Sequence, residues 1–190
     1  LLAWFTAASG TMPPFQLLAI SLGIGAVAGV GLWAFRPRAI KALRQPWPVW
    51  LLGVGGIFGY HLFYYTALRN APPVEAGLIN YLWPLLIVVF SAFLPGEKLR
   101  LHHVIGALLG LAGAVLIVTG GQGFTIKTEY AFGYGAALLG ALAWSSYSVL
   151  SRRFASVPTD AVTGFFIAAA LLAVPCHLLF EQTVWPDNPW

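Results

Sequence analysis

Long apolar runs with almost no charge constrain this chain more than any other feature. They cover residues 14–35, 47–68, 74–94, 103–119, 130–150 and 161–180. A helix needs about 20 apolar residues to cross a bilayer. Charged residues make up only 8% of the chain, whereas soluble domains carry about 25%. Because a water-facing surface cannot be built from so few charges, we expect an all-α integral membrane protein whose partner is the lipid bilayer.

The basic residues between these runs predict an orientation. Eight of the ten lie in alternate connections, namely Arg36, Arg38, Lys41, Arg44, Lys98, Arg100, Arg152 and Arg153. The connections between those hold only Arg69 and Lys127. Loops rich in Lys and Arg stay in the cytoplasm, so we expect the basic loops to be cytoplasmic. Since these residues are divided among loops and do not form one basic face, we expect no nucleic acid partner.

A short internal similarity predicts two repeats. The tripeptide LAW occurs at residues 2–4 and 142–144, and a proline-marked helix start follows each copy. Five helices precede the second copy, and an odd number inverts the second repeat in the membrane, as in many secondary transporters. We expect a first repeat over residues 1–120 and the start of a second over 130–190. The chain is expected to begin inside its first helix and to stop three helices early.

The stretch GYHLFYYTAL, residues 59–68, places polar aromatic side chains in an apolar helix. Tyr60 and Tyr64 are four residues apart, so that Tyr60, His61 and Tyr64 can share one face. They lie too far inside the run for tyrosines of the membrane interface. We predict that these three residues line a cavity; the alternative is that they only decorate the interface.

His61 has two possible roles at membrane depth. An ionisable group there is a functional candidate, and imidazole titrates near physiological pH. The residue could recognise substrate as a neutral ring, or it could couple transport to proton entry. No second acid is visible within the apolar runs to complete a proton relay, and removal from water opposes the charged form. We favour recognition over proton coupling, and a packed core histidine is the remaining possibility.

Two further clusters carry polar aromatic groups. In NYLWPLL, residues 80–86, Pro84 is predicted to kink its helix beside Asn80, Tyr81 and Trp83. The alternative is a kink that serves packing alone. Trp144 and Tyr147 are three residues apart and share a helix face, and Trp4 is the counterpart of Trp144 in the first repeat.

These side chains favour a flat organic substrate. Aromatic rings offer stacking surfaces and hydrogen-bonding tips, and their faces attract an ammonium group. A zwitterionic aromatic amino acid uses both, whereas an ion channel needs rings of carboxylates or carbonyls. The chain has no H-E-x-x-H, no G-x-S-x-G and no pair of acids in its apolar runs, so we expect no enzyme and no cofactor.

The remaining polar residues are expected to be structural. The adjacent His102 and His103 diverge by about 100° on a helix, and no further ligand lies at a suitable spacing, so we expect no metal. Glu75 lies where the helix dipole favours an acid. Glu97 is predicted to cap the helix that follows it.

Several segments resemble the EamA family of the drug/metabolite transporter superfamily. They are LLAWFTAASGTMPPF at the start, FLPGEKLRLHHVIGALLGLAGAVLIV over residues 93–118, and ALLGALAWSSYSVLSRRFASVP over residues 137–158. The resemblance implies ten helices in two inverted five-helix repeats around a central substrate cavity. About seven of those helices are represented in this chain.

A narrower resemblance, to bacterial exporters of aromatic amino acids within that family, is carried by RQPWPVW, FGYHLFYYTAL and PPVEAGLINYLWPLL. It implies a monomeric secondary transporter of the inner membrane that exports aromatic and other neutral amino acids by alternating access. It also implies that Tyr60, His61 and Tyr64 point into the cavity. An exporter of other flat organic compounds and a membrane protein that does not transport are the alternatives.

Overall fold

The computed structural model describes residues 10–97, 99–121 and 127–185. These residues form seven α-helices and no strand. The helices are α1 (Pro14–Phe35), α2 (Trp47–Asn70), α3 (Pro73–Asn80), α4 (Trp83–Ser91), α5 (Leu101–Thr119), α6 (Ala131–Ser151) and α7 (Ala161–Phe180). Short 3₁₀ turns cover Pro37–Leu43, Thr128–Tyr130 and Arg152–Phe154. The all-α prediction is confirmed.

Four spans in the described residues are long and apolar enough to cross a membrane, which makes this a multi-pass protein. They are α1, α2, the combined span Pro73–Ser91 and α7. The apolar part of α5 is shorter, Leu101–Ile117. Helix α6 has 21 residues but is not among the four, because its serines and tyrosines make it more polar. All six predicted runs thus form helices. Two of them, α5 and α6, are too short or too polar to count as membrane spans by length and composition.

Prolines mark where helices begin and where one is interrupted. Pro14 and Pro73 are the first residues of α1 and α3, where a missing N–H costs least. The predicted run 74–94 is interrupted at Tyr81 and Leu82, and α4 begins just before Pro84. Because Pro84 has no N–H, it cannot bond the carbonyl of Asn80 as a continuous helix requires. The interruption leaves Asn80 at the end of α3.

Glycines bring two pairs of helices into close contact. Helix α1 packs on α7, where a Cβ at Gly25 would lie 2.8 Å from Phe166 and one at Gly29 would lie 2.4 Å from Thr163. Helix α2 packs on α6, where a Cβ at Gly56 would lie 2.5 Å from Tyr147. Small residues allow such approach between membrane helices.

Glycine pairs four residues apart predict helix faces that can pack closely in lipid, and the sequence has three such pairs, Gly25/Gly29, Gly55/Gly59 and Gly106/Gly110. Among the described residues, only the first pair meets another helix at both positions. Gly55, Gly106 and Gly110 have no described atom within 4 Å of a Cβ, and Gly59 only touches Phe63 of its own helix. Close packing at these two pairs stays a prediction, because spacing identifies a smooth helix face but not the side on which a partner lies.

Two buried clusters hold the helices together. One joins α1, α2 and α7 and includes Leu18, Leu22, Ile57, Tyr65 and Phe165. The other joins α2, α3 and α6 and includes Tyr64, Ala67, Ala76, Tyr134 and Ala137. Tyr64 and Tyr65 are adjacent in sequence yet belong to different clusters. Helix α2 is therefore the central element, with the two clusters on its opposite sides.

A polar network fixes the start of α1 to the end of α7. The Glu181 carboxylate accepts hydrogen bonds from the backbone N–H groups of Phe15 (2.9 Å) and Gln16 (3.1 Å). His177 Nδ1 lies 2.9 Å from the same carboxylate, and its Nε2 lies 2.8 Å from the Thr183 hydroxyl. The network satisfies N–H groups that a helix start leaves without a partner.

Acids in the connections pair with arginines and tyrosine. Glu97 does not cap α5, which begins after Arg100 with no side-chain cap. The predicted cap was therefore wrong. The Glu97 carboxylate lies 3.5 Å from Arg152, in the connection after α6, and pairs with that cation instead. Glu75 lies in the first turn of α3, as predicted, and accepts a hydrogen bond from the Tyr134 hydroxyl.

Candidate functional site

Three polar aromatic side chains of α2 form the centre of the candidate site. The rings of Tyr60 and Tyr64 stack with centroids 5.8 Å apart and planes 16° apart. The His61 ring meets Tyr60 edge-on at 5.1 Å. Such offset-stacked and edge-to-face arrangements are the favourable ones for aromatic pairs. The sequence predicted a shared face for these three residues, and their rings do contact one another.

His61 is fixed by its own helix. Its Nδ1 lies 2.8 Å from the carbonyl oxygen of Ile57, one turn earlier. Since a carbonyl only accepts, Nδ1 carries the hydrogen and donates it. In the neutral ring, Nε2 is then an acceptor with its lone pair directed away from that bond. The geometry therefore presents an acceptor to whatever occupies the space beside the ring.

Helix α6 supplies the opposite side of the cluster. The Trp144 ring lies 5.0 Å from Tyr60 and is tilted by 46°. Tyr147, one turn later, lies 5.5 Å from Trp144. The close approach at Gly56 is what lets α6 bring these rings up to α2. Tyr60 is thus the meeting point of three rings and of two helices that are distant in sequence.

Asn80 adds a buried amide to this cluster. Its side chain is 6% exposed, and its Nδ2 donates to the Tyr60 hydroxyl at 3.4 Å. Its Oδ1 has no hydrogen-bond partner among the described residues. A buried carbonyl without a donor is costly, by roughly 1–3 kcal/mol. Asn80 therefore presents a second acceptor beside Tyr60, and a ligand or water with an N–H or O–H group can satisfy it.

Ser145 connects the interrupted helix to α6. Its hydroxyl is fully buried and lies 3.0 Å from the carbonyl oxygen of Trp83 and 2.6 Å from that of Ala141. The contact binds the first residue of α4 to the helix that carries Trp144. Sequence reasoning gave Ser145 no role, because the partner of a buried serine on one helix is set by the packing of another.

Tyr81 and Trp83 are less closely tied to the cluster. Tyr81 is 47% exposed, and Trp83 is partly buried. Within the described part of the chain, neither side chain has a hydrogen bond or ring contact with Tyr60, Tyr64 or Trp144. The predicted contact of Tyr81 and Trp83 with substrate stays a prediction. Trp4 lies outside the described residues, so its predicted contact with substrate stays a prediction as well.

Tyr65 extends the polar contacts toward α1. Its ring is almost completely buried, and its hydroxyl donates to Ser21 at 2.9 Å. His61 lies 5.7 Å from it. Tyr65 therefore links the candidate site to the α1–α7 side of the protein. Among the described residues, no group of three or more His, Cys, Asp or Glu side chains could hold a metal ion.

The fold and this cluster define a class: a multi-pass, all-helical membrane protein with a polar aromatic site between its helices. Residues 2–119 match the EamA-like transporter family. The chain belongs to this family, as its sequence motifs predicted.

The chain is similar to several characterised and uncharacterised transporters. It is 56% identical, over 97% of its own length, to the aromatic amino acid exporter YddG of Ancylobacter novellus. It is 30% identical to the protein of the same name from Salmonella typhimurium over 64% of this chain and 42% of that relative. It is 28% identical to the uncharacterised transporter YyaM of Bacillus subtilis over 73% of this chain and 46% of that relative.

A solved crystal structure shows the same fold. It has a TM-score of 0.84 and 55% sequence identity, and the alignment covers 98% of this chain. The chain spans 65% of the length of both that protein and the Ancylobacter relative.

Proposed function

We propose that the full-length protein exports aromatic amino acids across the bacterial inner membrane, with the Tyr60–Trp144 cluster as its substrate site. One observation carries this proposal: three contacting aromatic rings lie beside two hydrogen-bond acceptors, Asn80 Oδ1 and His61 Nε2. The name of the Ancylobacter relative supports the same substrate class. The relatives are transporters, which supports transport over catalysis.

The side chains match the two ends of such a substrate. The faces of Tyr60 and Trp144 suit stacking with the substrate ring. The ammonium group is a donor of three hydrogen bonds, and Asn80 Oδ1 and neutral His61 Nε2 are acceptors. Cation–π attraction to the tyrosine and tryptophan faces adds about 0.5–2 kcal/mol. Uncharged side chains of the described cluster therefore match both the ring and the ammonium group of the substrate.

Alternating access supplies the mechanism. Residues 1–120 and 130–190 are proposed as the first repeat and the start of an inverted second repeat, which move about a site at their interface. The cluster joins α2, in the first repeat, to α6, in the second. The basic connections are proposed to lie in the cytoplasm, and the protein is proposed to act as a monomer without cofactor or metal.

Flux through liposomes tests the proposal. The full-length protein, reconstituted in liposomes preloaded with unlabelled phenylalanine, should accumulate radiolabelled phenylalanine by counterflow, and external tryptophan should compete. Lysine and glutamate, which add a charge to a site whose described side chains are uncharged, should not compete. Counterflow no faster than in protein-free liposomes would exclude a carrier of aromatic amino acids. Equal competition by flat compounds without an amino acid group would favour the broader exporter.

A further inference from the structure

A basic cavity lies at the end of α1, away from the aromatic cluster. It has a volume of about 660 Å³ and is lined by Arg36, Pro37, Arg38, Ala39, Lys41, Ala42, Pro158 and Asp160. Ligand sites in proteins commonly measure about 300–1,000 Å³. One wall comes from the 3₁₀ turn Pro37–Leu43, and the other comes from the residues that precede α7.

The 3₁₀ turn sorts its side chains into two faces. In this helix, residues three apart lie directly above one another. Ala39 and Ala42 are buried, and they place the turn against the rest of the protein. Arg38 and Lys41 are also three apart, and both are exposed. The two alanines therefore face the protein, and the two cations lie together on the exposed side of the turn.

The charges on the cavity wall are not balanced. Arg36 Nη2 lies 3.1 Å from the Asp160 carboxylate, so these two side chains neutralise each other. Among the described residues that line the cavity, Asp160 is the one acid. The side chains of Arg38 and Lys41 make no ion pair or hydrogen bond with any residue that the structure describes. Two adjacent cations without a counter-charge favour an anion in this space.

Exposed apolar residues flank the cavity's lining residues in the sequence. The last turns of α1 expose Leu32 (62%) and Phe35 (86%), and the 3₁₀ turn exposes Ile40 (57%). A soluble anion gains nothing from such side chains, whereas the acyl chains of a lipid do. Basic pockets at the cytoplasmic ends of membrane helices bind anionic lipid headgroups. The combination of cations and exposed apolar residues matches one molecule with a phosphate and acyl chains.

We propose that this cavity binds the phosphate of an anionic phospholipid, held by Arg38 and Lys41, with the acyl chains along Leu32 and Phe35. The lipid bridges the connection after α1 and the start of α7, which come from the two proposed repeats. It therefore stabilises the contact between those repeats. The site is separate from the aromatic cluster, so the proposal does not depend on the transported substrate.

Thermal unfolding of the purified full-length protein in an uncharged detergent tests the proposal. Phosphatidylglycerol should raise the unfolding midpoint more than phosphatidylcholine with the same acyl chains. The double variant R38Q/K41Q should lose that difference, with apparent phosphatidylglycerol affinity about 30-fold weaker, since each cation contributes about a fivefold effect. The double variant R44Q/R100Q is the matched control, because it removes the same charge from exposed residues outside the cavity and should behave as wild type.

Two further measurements distinguish a lipid headgroup from a soluble phosphate as the occupant of the cavity. Glycerol 3-phosphate and inorganic phosphate, at the same concentration as the lipid, should leave the midpoint unchanged. Protection by either of them equal to that of the lipid would overturn the lipid assignment. A phosphatidylglycerol effect that is the same in both double variants would overturn the cavity assignment. The variant R38K/K41R keeps both charges and should retain the lipid effect, which separates loss of charge from misfolding.

Discussion

Asn80 holds a buried polar atom that stability alone does not explain. Its buried Oδ1 has no donor among the described residues, and such a group lowers stability unless something else satisfies it. The amide Nδ2 of the same side chain donates a hydrogen bond to the hydroxyl of Tyr60, the central ring of the cluster. If a donor group of the substrate binds this carbonyl oxygen, the binding of substrate explains why the protein keeps a carbonyl that lowers its stability.

Asn80→Leu tests this explanation. Leucine has a similar size and removes the unsatisfied oxygen, which favours stability, but it also removes the long 3.4 Å hydrogen bond to the Tyr60 hydroxyl. Because the two effects oppose each other, the unfolding free energy should change by less than about 1 kcal/mol. Apparent phenylalanine affinity in counterflow should fall about fivefold or more, because one hydrogen bond to an ammonium group is lost. A lower midpoint with unchanged affinity would mean that Asn80 only supports the end of α3.

His61 should recognise substrate in its neutral form. The bond from Nδ1 to the Ile57 carbonyl leaves Nε2 as an acceptor. His61→Phe keeps an aromatic ring but removes the acceptor, and His61→Gln keeps an acceptor but cannot titrate. We expect the phenylalanine variant to lose about fivefold in affinity and the glutamine variant to lose less.

A pH gradient across the liposome separates the two roles of His61. Under the recognition account, wild-type protein and both variants only equilibrate phenylalanine, with or without the gradient. If wild type concentrates phenylalanine against its gradient when protons flow, and both variants fail to do so, His61 couples transport to protons and the recognition account is wrong.

At the scale of helices, the contact between α2 and α6 sets the geometry of the site. A Cβ at Gly56 would lie 2.5 Å from the Tyr147 ring and 2.7 Å from its Cβ. The latter atom cannot move without its backbone. Gly55, the adjacent residue, has no described atom within 4 Å of such a Cβ. The two glycines are therefore a matched pair on one helix.

Gly56→Ala should separate the helices, while Gly55→Ala should not. Alanine is favoured over glycine inside a helix by about 0.5–1 kcal/mol, so Gly55→Ala should keep or raise the unfolding midpoint. Gly56→Ala should lower the midpoint and reduce counterflow, because overpacking costs about 1–3 kcal/mol and displaces Trp144. Equal midpoints for the two variants would contradict the packing.

The sequence predicts the elements better than their contacts. Pro84 indicated the interruption of the predicted run 74–94, because proline removes a backbone hydrogen bond wherever it lies. The pair Gly55 and Gly59 has the same spacing as Gly25 and Gly29 but no comparable contact with another helix. Tertiary packing decides which face of a helix another helix covers, and a local sequence pattern does not carry that information.

The same limit applies to the site. The shared face of Tyr60, His61 and Tyr64 followed from helical spacing, and their rings do lie together. The approach of Trp144 to Tyr60 joins residues 84 positions apart and required the fold. The network of His177, Glu181 and the start of α1 was missed altogether. Its one local signal is an acid four residues after a histidine at a helix end.

At the scale of the whole molecule, the basic connections predict the orientation. An arginine at the bilayer centre costs about 2.5–3.5 kcal/mol on insertion scales, so the loops that hold these residues should stay in the cytoplasm. Single cysteines at Lys41 and Ser156, in a Cys176→Ala background, should resist an impermeant thiol reagent in intact cells. A cysteine at Thr128 should react. The opposite labelling pattern would reverse the proposed orientation.

The proposed substrate site lies among the rings that join α2 to α6. Phenylalanine counterflow by Tyr60→Ala, Trp144→Ala and Phe132→Ala tests it most directly. Phe132 belongs to the same helix as Trp144 but is 70% exposed and outside the cluster, so it controls for the loss of a ring.

All three variants should first elute as monodisperse protein with a measurable unfolding midpoint. We expect Tyr60→Ala and Trp144→Ala each to weaken apparent phenylalanine affinity about tenfold, because stacking and cation–π contacts are lost. Phe132→Ala should stay within about twofold of wild type. Unchanged affinity in the first two variants, or an equal loss in all three, would contradict the proposed site.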